Sequence, residues 1–300
     1  MKEYKMIHVE GRDIKISNPD KVLFPKAPLT KWDYVLACTQ LAPYLISYTH
    51  NRALTTIRFP DGTKGKSFYQ KNAPQHRPEW IQTKLEGSIE YLLLNDLPTL
   101  IWLANLACLE FHVSFNLISK IEYPTELVFD LDPSVEDFSR VVEVALITRQ
   151  VLLQIGLDGI VKTSGASGLQ IYVPIVPKYT YEQTRKVSHF IAKYLVEQHP
   201  SLITIERKVK YRGKQVYFDY LQHWYHKTLI APYSPRAVAE AAVSTPLNWE
   251  ELPSIHSPRV MNLFTIIPRL EKKGDLFQKF MKKEKYQLDN ILHFIESHPH

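Results

Sequence analysis

Glu126-Leu127-Val128-Phe129-Asp130-Leu131-Asp132-Pro133 sets two carboxylates at the end of an apolar run. Leu127 to Phe129 are strand formers, and the proline after Asp132 ends the run. Side chains alternate along a strand, so Asp130 and Asp132 share one face while Leu131 points to the other. Two carboxylates this close in an apolar strand repel each other and are costly to desolvate. A divalent cation relieves that cost, and oxygen-rich Mg²⁺ and Mn²⁺ sites use such pairs. The same residues also describe a strand end fraying beside an Asp-Pro turn.

Outward from this stretch, Asp219 lies in a second β-run, Val216-Tyr217-Phe218-Asp219-Tyr220-Leu221. Three shared carboxylates are what two closely spaced cations need for in-line phosphoryl transfer. Between the two runs, Ile160 to Pro174 reads as strand, small-residue loop, strand. Gly165 and Gly168 let a backbone approach a ligand, and Ser164 with free N–H groups would form an anion-binding concavity. It is no Walker loop, because no Gly-Lys-Ser/Thr opens a helix, and a plain hairpin would use the same residues. Arg207, Lys208, Lys210, Arg212 and Lys214 form a basic cluster before the Asp219 strand. Arg236 follows Ala231-Pro232-Tyr233-Ser234-Pro235, a guanidinium available to a phosphate chain.

The N-terminal part carries further basic and aromatic residues. A strand, turn and strand over 7–17 precede a turn-rich Asn18–Pro25 that holds Lys21. Thr30 caps a helix over about 31–50, and Lys31 sits at its start, where an anion is favoured. Arg58 ends a strand, and Phe68-Tyr69 lie in the next, an arrangement suited to a stacked base as well as to a core. Leu85 to Leu94 reads as a strand pair or long strand. Pro98 to Phe111 reads as a buried helix ending near His112. Helices are expected over 135–155 and 181–199, and a lysine-rich helical segment from 271 to the end.

The 300 residues allow a sizeable core, as one large domain or two small ones. The formal charge of +6 and pI near 9.0 favour a polyanionic partner. Cys38 and Cys108 lack metal-ligand spacing and read as buried thiols of a reducing compartment. The first five residues carry acid and no apolar core region, so no secretory signal is visible. The apolar run Leu100 to Leu109 is too short to span a membrane.

Taken together these motifs resemble the polymerase domain of bacterial DNA ligase D, within the archaeo-eukaryotic primase superfamily. The resemblance runs through Asp130-Leu131-Asp132-Pro133, Lys162-Thr163-Ser164-Gly165 with Gly168-Leu169, and Phe218-Asp219-Tyr220-Leu221-Gln222. It continues through Ile230-Ala231-Pro232-Tyr233-Ser234 with Arg236, Val243 to Leu247 with Trp249, Lys71-Asn72-Ala73-Pro74 and Asp20 to Leu23. It covers about residues 7–280. What it implies is an α/β (α+β) primase-like fold of two lobes, with a catalytic sheet resembling an RNA-recognition module. Residues 1–280 would form one compact primase-polymerase unit and 281–300 a basic helical tail.

The implied activity is template- and end-directed nucleotide addition at DNA breaks or gaps in non-homologous end joining. Ribonucleotides would be preferred, with two Mn²⁺ or Mg²⁺ ions. The implied partners are DNA with 5′-phosphorylated ends, Ku and an ATP-dependent ligase, with no membrane, in the cytoplasm at the nucleoid. Asp130, Asp132 and Asp219 match the metal ligands. His112, Ser164, Gly165, Gly168, Gln170, Gln222 and Arg236 match the nucleotide site. Lys21 and Lys31 match a grip on a 5′-phosphate, Phe68 and Tyr69 aromatics near the template base, and Arg212 a basic residue near the primer. Arg58 joins the DNA-facing set.

Two residues depart from the family pattern Thr-Ser-Gly-x-Lys-Gly-Leu-His. Ser167 replaces the lysine and Gln170 the histidine. A charge-assisted hydrogen bond is worth roughly twice a neutral one, so the losses weaken nucleotide binding by about a few kcal/mol. Arg236 and Lys162 would then carry more of the triphosphate's charge. A DNA-end-binding module with weakened catalysis is the alternative. A glycosyltransferase with an Asp-x-Asp motif gives no reason for Asp219 or for basic patches at both ends of the chain.

Overall fold

Strand formers dominate the first 114 residues, and most of them enter one sheet. The computed structural model describes residues 3–298, so the first two residues of the expected 1–280 unit and the last two of the expected 281–300 tail lie outside the described residues. Two units are distinguished: one of residues 1–114, 228–244 and 261–275, the other of 115–227, 245–260 and 276–300. The first begins with the hairpin β1 (Tyr4–Val9) and β2 (Arg12–Ser17), then the short pair β3 (Val22–Phe24) and β4 (Leu29–Thr30). Helix α1 (Lys31–Thr49) starts at Thr30, the cap expected from the sequence, and Thr30 and Asp33 form a reciprocal capping box there. Strands β5 (Leu54–Arg58), β6 (Phe68–Gln70), β7 (Thr83–Glu86) and β8 (Ile89–Leu92) follow.

The buried helix read over 98–111 is in fact two elements, α2 (Leu97–Asn105) and β9 (Cys108–Ser114). Ala107, at φ 55°, turns the chain between them with no glycine or proline to mark the break. His112 therefore sits within a central strand instead of at a helix end. Tyr34 of α1 reaches across to β9, its hydroxyl donating to the Cys108 carbonyl at 2.6 Å. Cys38 and Cys108 are buried free thiols, and burial pushes both up to about 12.

The second unit starts with β10 (Glu126–Pro133), α3 (Phe138–Gln154), β11 (Ile160–Thr163), β12 (Leu169–Pro174) and α4 (Tyr181–Gln198). Then come β13 (Ile203–Thr204) and β14 (Val216–Asp219). The chain returns to the first unit for β15 (Thr228–Ile230), adds β16 (Pro246–Leu247) to the second, and gives α5 (Ile266–Lys273) to the first. Helices α6 (Leu276–Met281) and α7 (Asp289–Ser297) belong to the second. Leu288 and Leu292 of the segment read as a tail lie in that unit's core.

The first unit's main sheet runs β15-β9-β5-β8-β7, with β6 on β5. The second unit's sheet runs β13-β14-β10-β12-β11-β16 and is antiparallel except between β13 and β14. Leu127, Phe129 and Leu131 of β10 join Val141, Val144, Val187 and Ile191 of α3 and α4 in one buried cluster. At about 1.5–3 kcal/mol for each buried aliphatic or aromatic side chain, this packing fixes which face of β10 turns inward. Alternation then puts Asp130 and Asp132 on the face away from the helices. No helix among the described residues is long and apolar enough to cross a membrane.

Candidate active site

Strand register in the second unit brings four polar residues into one row. Lys162 of β11 is paired with Gln170 of β12, Gln170 with Asp130 of β10, and Asp130 with Asp219 of β14. Directly paired residues on antiparallel strands project from the same face, with Cβ atoms about 4.5–5.5 Å apart. Lys162 is fully buried, its Nζ donating to Gln170 Oε1 at 2.5 Å. Gln170 is nearly as buried, and its Nε2 donates to Asp130 Oδ1 at 3.0 Å. Asp132 lies two residues along β10 on the same face, opposite Tyr217.

Burial holds the Asp130 carboxyl well above the usual carboxylate range, and the charges of Asp132 and Asp219 add to the effect. The bond from Gln170 and the charge of Lys162 oppose it without cancelling it. Among the described residues no three His, Cys, Asp or Glu side chains are grouped to hold an ion as they stand. The donor set nevertheless fits a hard divalent cation: three carboxylates on one sheet face, one desolvated and repelled by the other two. Beside them, burial and Asp219 raise the Tyr217 hydroxyl, which therefore stays protonated. Arg212 stacks its guanidinium 3.7 Å from the centre of the Tyr217 ring and donates to the Glu206 and Arg207 carbonyls.

The β11–β12 loop closes with the Ser164 N–H donating to the Gly168 carbonyl at 2.9 Å. Ser164 Oγ accepts from the N–H groups of Ala166, Ser167 and Gly168 at 3.2, 3.1 and 3.0 Å. Those three amides face inward onto the serine, so they are not the open cradle expected from the sequence. A hydroxyl two to four residues back is the nearest acceptor for a tight loop's amides. Gly165 takes φ 72°, and a Cβ at Gly168 would stand 2.1 Å from the Leu131 carbonyl oxygen. Both glycines are thus required by the backbone, one by handedness and one by contact. Arg259, which the sequence reading passed over, donates to the Ala166 carbonyl at 2.8 Å and braces the loop.

In the first unit His112 and Arg236 meet on Glu110. The Glu110 carboxylate lies 3.0 Å from His112 Nε2 and 3.1 Å from Arg236 Nη1. Its other oxygen accepts the Ala237 N–H at 3.1 Å. Burial alone would raise Glu110, yet the bond from His112 and the charge of Arg236 hold it below the ordinary value. Arg236 Nε is buried and has no hydrogen-bond partner among the described residues. Glu110 escaped sequence reading, although Glu-Phe-His within an apolar run places an acid and an imidazole on one strand face.

The model for the "LigD, primase-polymerase domain" family matches residues 30–277. The chain belongs to this family. It is 39% identical over 283 residues to "Bifunctional non-homologous end joining protein LigD" of Bacillus subtilis (strain 168), covering 93% of this chain and 46% of that one. It is 30% identical over 275 residues to the multifunctional LigD of Mycolicibacterium smegmatis, covering 88% of this chain and 35% of that one. The chain therefore spans less than half the length of these relatives. Its structure matches "Polymerase Domain from Mycobacterium tuberculosis Ligase D in complex with DNA" with a TM-score of 0.82 at 28% identity, over 89% of this chain and 98% of the other. The fold is the archaeo-eukaryotic primase-like α/β fold that the resemblance implied.

Within this LigD primase-polymerase domain, Lys21, Lys31, Arg58, Phe68 and Tyr69 of the residues expected to face DNA belong to the first unit, and Arg212 belongs to the second. The Lys31 N–H donates to the Lys21 carbonyl at 2.8 Å, so the two lysines are neighbours across β3 and β4. Lys21 Nζ is engaged by Asp61 Oδ1 at 2.7 Å. Lys31 is buried, and desolvation with the charges of Lys21 and Arg58 lowers it to about 8. Arg58 donates to the Leu106 carbonyl and Gln70 Oε1 and lies over the Phe68 ring. Phe68 is 43% exposed and Tyr69 73%, so these aromatics face solvent instead of a core. Gln222 follows β14 on the Asp219 turn, its N–H donating to the Asp219 carbonyl at 3.4 Å.

Proposed function

We propose that the chain is a metal-dependent nucleotidyltransferase that adds nucleotides to a primer end at DNA breaks or gaps. The observation that carries this reading is the pairing of Asp130 with Asp219 across β10 and β14, with Asp132 on the same face. Asp130, Asp132 and Asp219 would hold two Mn²⁺ or Mg²⁺ ions, which supply Lewis-acid activation of the primer hydroxyl and charge neutralisation at the phosphates. The protein's own part is to hold the three carboxylates in register. His112 and Arg236 are assigned to the anionic oxygens of the incoming nucleotide, and the orphaned Arg236 Nε supports that assignment.

DNA is the assigned polymer partner. The net charge of +6, the lysine pair, the exposed Phe68 and Tyr69, and a structural relative described as bound to DNA support it. The relatives' names tie those proteins to non-homologous end joining, and we assign this chain to the same process, with Ku and a DNA ligase as partners. Ribonucleotides are the proposed preferred substrates, following the family resemblance. Labelled gapped DNA with a 5′-phosphate, Mn²⁺ and either NTPs or dNTPs tests all of this in one primer-extension series. Extension by the wild type, lost on replacing Asp130 and Asp132 together, is the expected outcome, and substantial extension by the doubly substituted protein sinks the reading.

A second reading, an end-binding module with weakened catalysis, draws on the loop. Ser167 is uncharged, Gln170 spends its amide on Lys162 and Asp130, and Lys162 is buried beneath it. Selective binding of 5′-phosphorylated ends without any extension would favour it.

A further inference from the structure

Glu110 lies between two side chains assigned to the nucleotide, and no sequence motif points to it. We propose that Glu110 is a positioning residue that fixes Arg236 and His112 for nucleotide binding, a role that rests on the assignment of those two residues above. Three hydrogen-bond donors converge on its carboxylate: His112 Nε2, Arg236 Nη1 and the Ala237 N–H. The carboxylate is ionised at neutral pH and has no hydrogen to give, so His112 must carry its own on Nε2. This sets the imidazole tautomer and its ring orientation together. With Nη1 held by Glu110 and Nε left buried without a partner among the described residues, Arg236 is oriented toward a further acceptor.

The backbone beneath does not depend on this carboxylate. Ser234 Oγ accepts the Phe111 N–H at 2.9 Å, the Ala231 N–H donates to the Phe111 carbonyl at 2.9 Å, and the Arg236 N–H donates to the Ala242 carbonyl at 2.8 Å. Replacing Glu110 should therefore release side chains while leaving β9 and the segment after β15 in place. Glutamine has one acceptor oxygen where the carboxylate has two, and its NH₂ would point at one of the donors.

Two roles for Glu110 predict opposite results. A carboxylate that only dampens the positive charge of Arg236 should, when neutralised, tighten the hold on an anion. A carboxylate that positions Arg236 should, when neutralised, loosen it.

The test compares Glu110→Gln, Glu110→Asp, Arg236→Ala and the Glu110→Gln, Arg236→Ala double variant with wild type. It uses steady-state GTP titration on gapped DNA with Mn²⁺, together with ¹⁵N relaxation of the Arg236 Nε–H in the free protein. For Glu110→Gln the expected result is a mobile Arg236 Nε–H and a KM for GTP raised by about fivefold or more. The thermal midpoint should change little, Glu110→Asp should restore part of the loss, and the double variant should be no worse than Arg236→Ala. A rigid Arg236 or a lowered KM in Glu110→Gln overturns the positioning role. An Arg236→Ala variant with unchanged KM overturns the assignment of Arg236 to the nucleotide, while the relaxation result still decides whether Glu110 positions it.

Discussion

Gln170 donates its side-chain amide to Asp130 at 3.0 Å while its carbonyl oxygen accepts from the buried Lys162. An uncharged residue thus joins a buried cation to a buried carboxylate, and an amide suits the place because it offers a donor on one side and an acceptor on the other. Truncating Gln170 to Ala removes both bonds inside a desolvated row, and should cost about 2–4 kcal/mol in denaturant unfolding. Adding Lys162→Met should recover part of that loss, because the cation that required the carbonyl is then gone. A strictly additive double variant would mean that the two side chains do not act through each other.

Gly168 gives a sharper steric expectation. A methyl group there would meet the Leu131 carbonyl oxygen at 2.1 Å, and backbone cannot swing aside as a flexible side chain can. Gly168→Ala should push the Ser164–Gly168 loop off β10, lowering stability by about 1–3 kcal/mol and reducing nucleotide addition more than tenfold. Thermal unfolding with primer extension checks it. An unchanged rate would show that the loop's distance from Asp132 does not matter to the reaction.

The sequence shows the carboxylate pair and Asp219 because alternation in a strand depends only on neighbours. It cannot show that Asp219 faces Asp130, since register between strands 89 residues apart is set by packing (219 − 130). The same gap hides the job of Gln170, which the sequence aligns with a phosphate contact and the sheet turns into a link between Lys162 and Asp130. His112 is misplaced for a local reason: the apolar run after Pro98 has no glycine or proline, and the turn at Ala107 leaves no mark in composition. Glu110 is lost with it, because a residue assigned to a buried helix is not seen as paired with its neighbour two positions on.

The three aspartates carry a prediction that separates catalysis from binding. Asp130→Asn or Asp132→Asn should abolish nucleotide addition in the primer-extension assay. Affinity for gapped DNA, read by fluorescence anisotropy, should stay level or rise slightly, since neither change adds negative charge near a polyanion. Mn²⁺ affinity, measured calorimetrically without nucleotide, should fall in both variants. Retained Mn²⁺ binding alongside lost activity would move the ions away from this row.

Lys31 supplies the pH dependence. Desolvation, Lys21 and Arg58 together hold its ammonium at about 8, against an ordinary lysine value near 10.5. Below that value Lys31 is charged and can hold a 5′-phosphate; above it the proton leaves and the attraction goes. Because the folded value is lowered, the loss begins well before an exposed lysine would titrate. The ratio of affinities for 5′-phosphorylated over 5′-hydroxyl gapped DNA should therefore shrink between pH 7 and pH 9. A phosphate bound beside Lys31 favours the charged form and shifts the decline toward the upper end of that range. Lys31→Arg, whose guanidinium stays charged throughout, should keep the preference at pH 9. Lys21→Ala removes one repelling neighbour and should move the decline to higher pH while weakening the preference at pH 7. Anisotropy titrations at fixed ionic strength give the ratio, and a wild-type preference that stays flat to pH 9 would return Lys31 to a structural role.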